Sequence, residues 1–322
     1  MKRLLWCGAA LWAAALSLSP AALRAQEWPA KPIRLIVAFP VGSATDSIAR
    51  VVGKEISAAL GQSVVIDNRP GAGGAIAAEA VARSAPDGYT LLMGTNTQFA
   101  ANVSLYKKLS YDPVKDFSPV VLLTTQPTVL LVRQDFPART LADFVSHAKA
   151  APKKLSAGYG SASTQVAIAK LRTLAGLDLI EVPYKGVPQA VIDVVGGTLD
   201  FTFADLGSGL QQAAGGKVRA LAVTSGQRSP LAPDWPAAAE TYPGIDIFGW
   251  HAIVAPAGTP PDVVRKFYEA SIKALKRQEV AENLAGLGVT PAPMGPEELG
   301  RFIKEDIVRW AGLIKEAGIQ PE

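Results

Sequence analysis

The sequence predicts two Rossmann-like α/β domains with a ligand cleft between them. Three observations lead there. Strand-like and helix-like segments alternate from Trp28 onward, the alternation starts afresh after Pro127, and the chain closes with a strand and two long helices. Such a tail is longer than a cap needs to be, so it is assigned to complete the first unit. The expected division is residues 26–125 with 248–322 as a discontinuous first domain, and 126–247 as the second. Clefts between domains are favoured ligand sites.

Taken in order, residues 33–39 (Ile-Arg-Leu-Ile-Val-Ala-Phe) read as a buried strand, and 40–46 as a turn. Ile48, Val51, Val52, Ile56 and Leu60 then recur at helical spacing, and Gly61 stops the helix. Residues 64–66 form the next strand, 68–74 a glycine-rich loop, 76–82 a helix and 89–94 a third strand. That order argues for a parallel sheet with right-handed crossovers. In the second unit, strands are expected at 129–132, 155–158, 180–184, 201–203 and 219–223, with helices at 141–150, 165–175 and 188–195. The tail supplies a strand at 252–254 and helices near 262–276 and 296–317.

Composition narrows the function. The 322 residues are 49% hydrophobic and 19% charged, which argues against disorder and allows real cores. Lys2 and Arg3 precede an apolar run from Leu4 to Leu18, interrupted only by Ser17, and Ser19-Pro20 breaks it before Ala25. This is the order of a secretory leader, so residues 1–25 are expected to be a signal peptide cleaved near Ala25, and the protein to be exported. The run is shorter than the roughly 20 residues of a membrane span. Removing the leader takes away Cys7, the only cysteine, and lowers Lys+Arg from 32 to 29 against 28 acids. The near-neutral remainder gives no support to a nucleic-acid surface. With His147 and His251 the only histidines, neither a metal site nor a cofactor is expected.

Catalytic signatures are missing from the sequence. There is no Gly-x-Ser-x-Gly elbow, Walker A loop or His-Glu-x-x-His. Gly158-Tyr159-Gly160 is followed by Ser163, and Gly71-Ala72-Gly73 by Ile76, where a dinucleotide fingerprint needs glycine. What remains is a pair of small-residue loops joining strand ends to helix starts, Gly42 to Asp46 and Gly158 to Thr164. Unpaired N–H groups and the helix dipole favour an anion there. Ser43, Thr45, Ser161, Ser163 and Thr164 add hydroxyls, and neither loop carries Lys or Arg. That donor set suits a carboxylate held by backbone amides and hydroxyls. Helix capping is the favoured account of each loop taken singly, and Asp46 is expected to cap its helix. Arg69 reads more as a loop brace than as a carboxylate partner, Trp250-His251 as cleft lining or packing with packing favoured for Trp250, and Tyr184, Lys185 and Asp205 as surface, cap or ligand groups.

In this order the blocks resemble the substrate-binding receptors of tripartite tricarboxylate transporters, the Bug family. The residues carrying the resemblance begin with Trp28-Pro29-x-Lys31-Pro32-Ile33-Arg34 and Phe39-Pro40-x-Gly42-x-x-x-Asp46. Asn68-Arg69-Pro70-Gly71-Ala72-Gly73-Gly74, Pro86-Asp87-Gly88-Tyr89, Val182-Pro183-Tyr184-Lys185-Gly186, Arg219-Ala220-Leu221-Ala222-Val223-Thr224 and Ala255-Pro256-Ala257-Gly258-Thr259-Pro260 continue it. The resemblance implies a type II periplasmic binding protein fold, no catalytic activity and no cofactor. It also implies a monomer that closes on a di- or tricarboxylate, an aromatic acid or an acidic amino acid and passes it to a membrane permease. The implied ligand residues are Phe39, Val41, Gly42, Ser43, Ala44, Thr45 and Asp46 in one loop, and Gly160, Ser161, Ala162, Ser163, Thr164 and Gln165 in the other. Thr95 and Asp205 lie near them in that fold. Two departures stand out: Phe39-Pro40-Val41-Gly42-Ser43 replaces a common Phe-Pro-Pro-Gly-Gly, and Gln165 occupies a usual His position. A sensor module sharing this ligand chemistry, and an exported serine hydrolase using His147 or His251, are the competing readings.

Overall fold

The computed structural model describes residues 27–322, so the expected leader lies outside the described residues. Its first half builds on β1 (Ile33–Val37), β2 (Val64–Asn68) and β3 (Thr90–Thr95), which pair in parallel in the order β2-β1-β3. Helix α1 (Ala44–Leu60) links β1 to β2, and α2 (Ala75–Ala82) leads to β3. Side chains of β1 alternate between two cores, as a strand covered on both faces requires. Ile33, Leu35 and Val37 join Ile48, Val52 and Phe267 on one face, while Ile36 packs with Leu92, Phe99 and Trp250 on the other. Gly61 ends α1 in the left-handed conformation at φ 67°.

A short α3 (Asn102–Leu105) follows a turn of π-helix at Thr97–Ala101. Then β4 (Phe117–Arg133) runs through both halves of the molecule. Its first part pairs antiparallel with β9 (Phe248–Pro256) and β10 (Thr290–Met294). From Thr128 onward it pairs antiparallel with β7 (Phe201–Asp205) and β8 (Val218–Val223). The change-over is pinned by side chains. Thr224 Oγ1 accepts from Thr128 N at 3.0 Å and donates to Ile247 O at 2.7 Å. These contacts fasten both chain crossings, Pro127–Thr128 and Ile247–Phe248, at one point.

The second half has β5 (Leu155–Tyr159) between β6 (Leu179–Pro183) and β7, both parallel to it. Helices α4 (Leu141–Ala150), α5 (Ala162–Ala175), α6 (Val187–Val195) and α7 (Leu206–Ala214) surround it. The full sheet order is β2-β1-β3-β9-β4-β7-β5-β6. The expected strands and helices are present with ends shifted by a few residues, and the first three strands are parallel as expected, while the centre of the sheet is antiparallel. The reason is that β4 and β9 are crossing strands and do not belong to βαβ units.

The chain ends with α8 (Pro261–Leu275), α9 (Gln278–Gly286) and α10 (Pro296–Glu316). Leu299 and Ile303 of α10 enter the first-half core, whereas Trp310 and Ile314 enter the second-half core beside Phe144 and Ile168. Lys170 Nζ reaches Glu316 at 2.8 Å, and Arg172 donates to Ala317 O. The last helix therefore straddles both halves. No helix among the described residues is long and apolar enough to cross a membrane.

Candidate functional site

Two strand-to-helix loops face each other where the halves meet. On the first wall, Ser43 is the N-cap of α1, and its Oγ accepts from Asp46 N at 3.2 Å. The expected cap, Asp46, does a different job because it is the third residue of the helix. Its carboxylate accepts from Gly42 N and Asn68 Nδ2, each at 3.0 Å, and pairs with Arg50 at 2.9 Å. Burial works to raise this carboxyl, but the bonds from Arg50, Gly42 and Asn68 prevail and hold it below the ordinary aspartate range. The Ala44 and Thr45 amides, in the first turn, have no acceptor among the described residues.

On the second wall, Ser161 caps α5 in a complete capping box with Thr164. Thr164 Oγ1 accepts from Ser161 N and from Gly160 N, each at 3.1 Å. The walls also touch directly. Ala162 N, the first amide of α5, donates to Thr97 Oγ1 at 3.2 Å, and Asn96 Nδ2 donates to Ser163 Oγ at 3.1 Å. A side chain on Gly186 would run into Pro40, so the loops after β1 and β6 approach closely because that position is glycine.

Between the walls lies a chamber of about 30 Å³. Of the residues singled out from the sequence, Phe39, Ser43, Ala44, Thr45, Thr95, Ser161, Ser163 and Asp205 line it. Asp46 and Thr164 stand behind the walls as braces. Gly160, Ala162 and Gln165 line a neighbouring compartment of about 310 Å³. Val41 points away, 68% exposed, with Gly42 exposed beside it. Arg69 does brace its loop, through Asp67 at 3.0 Å, and Tyr184 donates to Asp193 at 2.6 Å.

The floor of the chamber is made by Asn96, Gln126, Thr128, Val187, Gly249, Trp250 and His251; sequence reasoning offered Trp250 and His251 for the cleft and missed the others. Antiparallel register brings the strand residues together: Thr95 and Thr124 both face His251, Gln126 faces Gly249, and Thr128 faces Asp205. Trp250 packs as expected, stacked on Phe99 with its Nε1 donating to Asp306 at 2.7 Å. His251 Nδ1 bonds Thr124 Oγ1 at 3.0 Å, and burial pushes the imidazole down to about 3, so it is neutral. Gln126 Nε2 donates to Asp205 at 2.8 Å. Burial pushes that carboxyl up to about 6 despite this bond. Chemically the chamber offers backbone N–H groups and hydroxyls from both walls and no Lys or Arg.

Two lobes joined at crossing strands, with opposed helix N-termini in the gap, define a two-lobed solute-binding protein. Residues 48–319 match the tripartite tricarboxylate transporter family receptor, and the chain belongs to that family. Protein BugT of Bordetella pertussis is 35% identical over 92% of this chain and 93% of its own length. The structure of Rpa4515 of R. palustris with adipate is 33% identical, with a TM-score of 0.89 over 92% of this chain and 100% of its own. MatC from Rhodopseudomonas palustris with bound malate is also 33% identical, with a TM-score of 0.83 over 89% and 100%.

Proposed function

We propose that this protein is a periplasmic receptor that closes its two lobes on a small organic carboxylate, performs no reaction on it, and delivers it to the membrane permease of a tripartite transporter. The observation that carries the reading is the pair of capped helix N-termini, one from each half, facing one cation-free chamber. Donors of this kind hold a carboxylate through hydrogen bonds and helix dipoles. Family membership and the adipate- and malate-bound relatives support the same ligand class.

In this reading the moving bodies are residues 26–125 with 248–322 against 126–247, hinged where β4 and the return into β9 cross. Ser43, Ala44, Thr45, Ser161 and Ser163 contact the carboxylate, with Phe39, Thr95 and Asp205 beside it. Asp46 and Thr164 keep the loops in shape. The neutral His251 is committed to Thr124 and not to a serine, which speaks against the hydrolase.

Titration calorimetry of residues 27–322 against dicarboxylates, tricarboxylates, aromatic acids and acidic amino acids tests the proposal. At least one acid should bind, and Ser43→Trp or Ser161→Trp should cost 100-fold or more, because a chamber of about 30 Å³ cannot take an indole as well. Silence across the acid panel, or unchanged affinity in both variants, would overturn the reading.

A further inference from the structure

The chamber of about 30 Å³ is scarcely larger than a carboxylate, whereas the compartment beside it, at about 310 Å³, has the size of a small-molecule site. Ser161 lines both spaces. The Thr97–Ala162 hydrogen bond lies next to it and forms part of the partition. A ligand whose carboxylate occupied the chamber would therefore extend past Ser161 into the larger space.

The walls of that space have a definite chemistry. Tyr106, Tyr159 and Tyr184 line it together with Lys185, Glu322 and Asn102. Tyr184 is committed to Asp193, while the phenols of Tyr106 and Tyr159 have no hydrogen-bond partner among the described residues. Burial, and next the nearby Glu322 carboxylate, push both of these phenols upward, so they remain neutral. Lys185 and Glu322 offset each other, so the compartment gives a second carboxylate no net attraction.

Asn102 supplies the most specific feature. It is fully buried, and its Nδ2 donates to Gly73 O and Tyr111 Oη, each at 3.2 Å. Its Oδ1 accepts from nothing among the described residues. A buried acceptor without a donor is costly, and a ligand donor recovers that cost. Only the side-chain-free Gly73 stands beside it: a Cβ there would sit 3.2 Å from both Asn102 Oδ1 and the Tyr106 phenol oxygen.

Resting on the carboxylate reading above, we propose that the larger compartment holds the body of the ligand and selects a monocarboxylic acid whose uncharged ring carries a hydroxyl or amino donor. Rings suit the tyrosine walls, the donor suits the free phenols and the unpaired Asn102 Oδ1, and a second carboxylate gains nothing where Lys185 and Glu322 offset each other.

Calorimetry with hydroxybenzoate, aminobenzoate, benzoate, terephthalate and propionate tests this directly. The hydroxy and amino acids should bind at least 10-fold more tightly than benzoate or terephthalate. Tyr159→Ala should weaken them 10-fold or more and leave propionate, which fills only the chamber, within 2-fold. Tyr106→Phe keeps the packing and should selectively weaken the ring acids that carry a donor. If the acids bind and are lost in Ser161→Trp, but Tyr159→Ala and Tyr106→Phe treat all of them alike, the compartment proposal is overturned and the carboxylate reading stands. If no acid binds, both fall.

Discussion

The two walls of the cleft use one device and fasten it differently. Each has a serine N-cap whose third helical residue reaches back to hold the loop. On the first wall that residue is Asp46, a buried carboxylate held by Arg50, Asn68 and the Gly42 amide. On the second it is Thr164, a neutral hydroxyl in a closed box with Ser161 and Gly160. The first wall leaves its opening amides unpaired, whereas the second lends the Ala162 amide to Thr97 across the cleft. The first wall is thus a pre-formed donor site stiffened by charge. The second is uncharged, and part of its donor capacity already closes the molecule. In the proposed reading the first wall meets the ligand with free amides, while the second has one amide already taken by the protein.

The braces give the largest test of this contrast. Asp46→Ala removes a charged acceptor from two neutral donors, each such bond being worth roughly 1.5–3 kcal/mol. Arg50 is half exposed and regains water, which discounts its share. A loss of about 3 kcal/mol is expected in chemical denaturation. Thr164→Val removes neutral bonds only and should cost about 1–2 kcal/mol. Equal losses would mean that charge contributes nothing special on the first wall. Because the folded Asp46 carboxyl is held low, its contribution is present above pH ~4 and fades as pH falls below that, an acid limb that Asp46→Ala should lack.

Titration of the chamber floor sharpens the picture further. Asp205 is raised to about 6 in the fold, so the native state holds its proton more tightly than the unfolded chain does. Its contribution is complete below the unfolded value and is lost as pH rises from about 4 to about 6. His251, depressed to about 3, acts oppositely: its neutral burial is favourable above pH ~6.5 and costs stability as pH falls from there. The two nearly cancel over the shared window. In Asp205→Asn the His251 slope is exposed, and stability should drop by on the order of 2 kcal/mol more than in the wild type between pH 6 and pH 4. Parallel pH profiles for the two proteins would show that Asp205 is not desolvated as described.

Both walls were legible in the sequence for the same reason: each follows a buried apolar strand and opens with a serine three residues before an Asp or Thr. Capping chemistry is local, so spacing reveals it. Most of the floor was not legible as a site. Gln126 and His251 lie far apart in sequence and become neighbours only through the β4–β9 register. The length of β4 was hidden too, because the alternation starts afresh after Pro127, although Pro127 lies inside a strand that serves two sheet halves in turn. The π-helical turn after β3 buries Thr97 and Gln98, polar residues that no apolar periodicity marks. The straddling course of α10 is likewise a tertiary fact: its apolar stripe is regular, but nothing in the stripe says that its ends face different cores.

The smallest expected effect bears most directly on how the second wall works. Thr97→Val keeps the shape and deletes the hydroxyl that accepts from Ala162 N. One neutral hydrogen bond is worth about 1 kcal/mol, so the variant should shift the balance between closed and open lobes about 5-fold toward open. Small-angle scattering without ligand should then report a larger radius of gyration than for the wild type. A ligand that bridges the two walls favours the closed form, so saturating ligand should return the variant to the closed dimensions. A variant that scatters like the wild type without ligand would mean that Asn96–Ser163 and the Pro40–Gly186 contact hold the lobes together unaided. The second wall would then be as passive as the first.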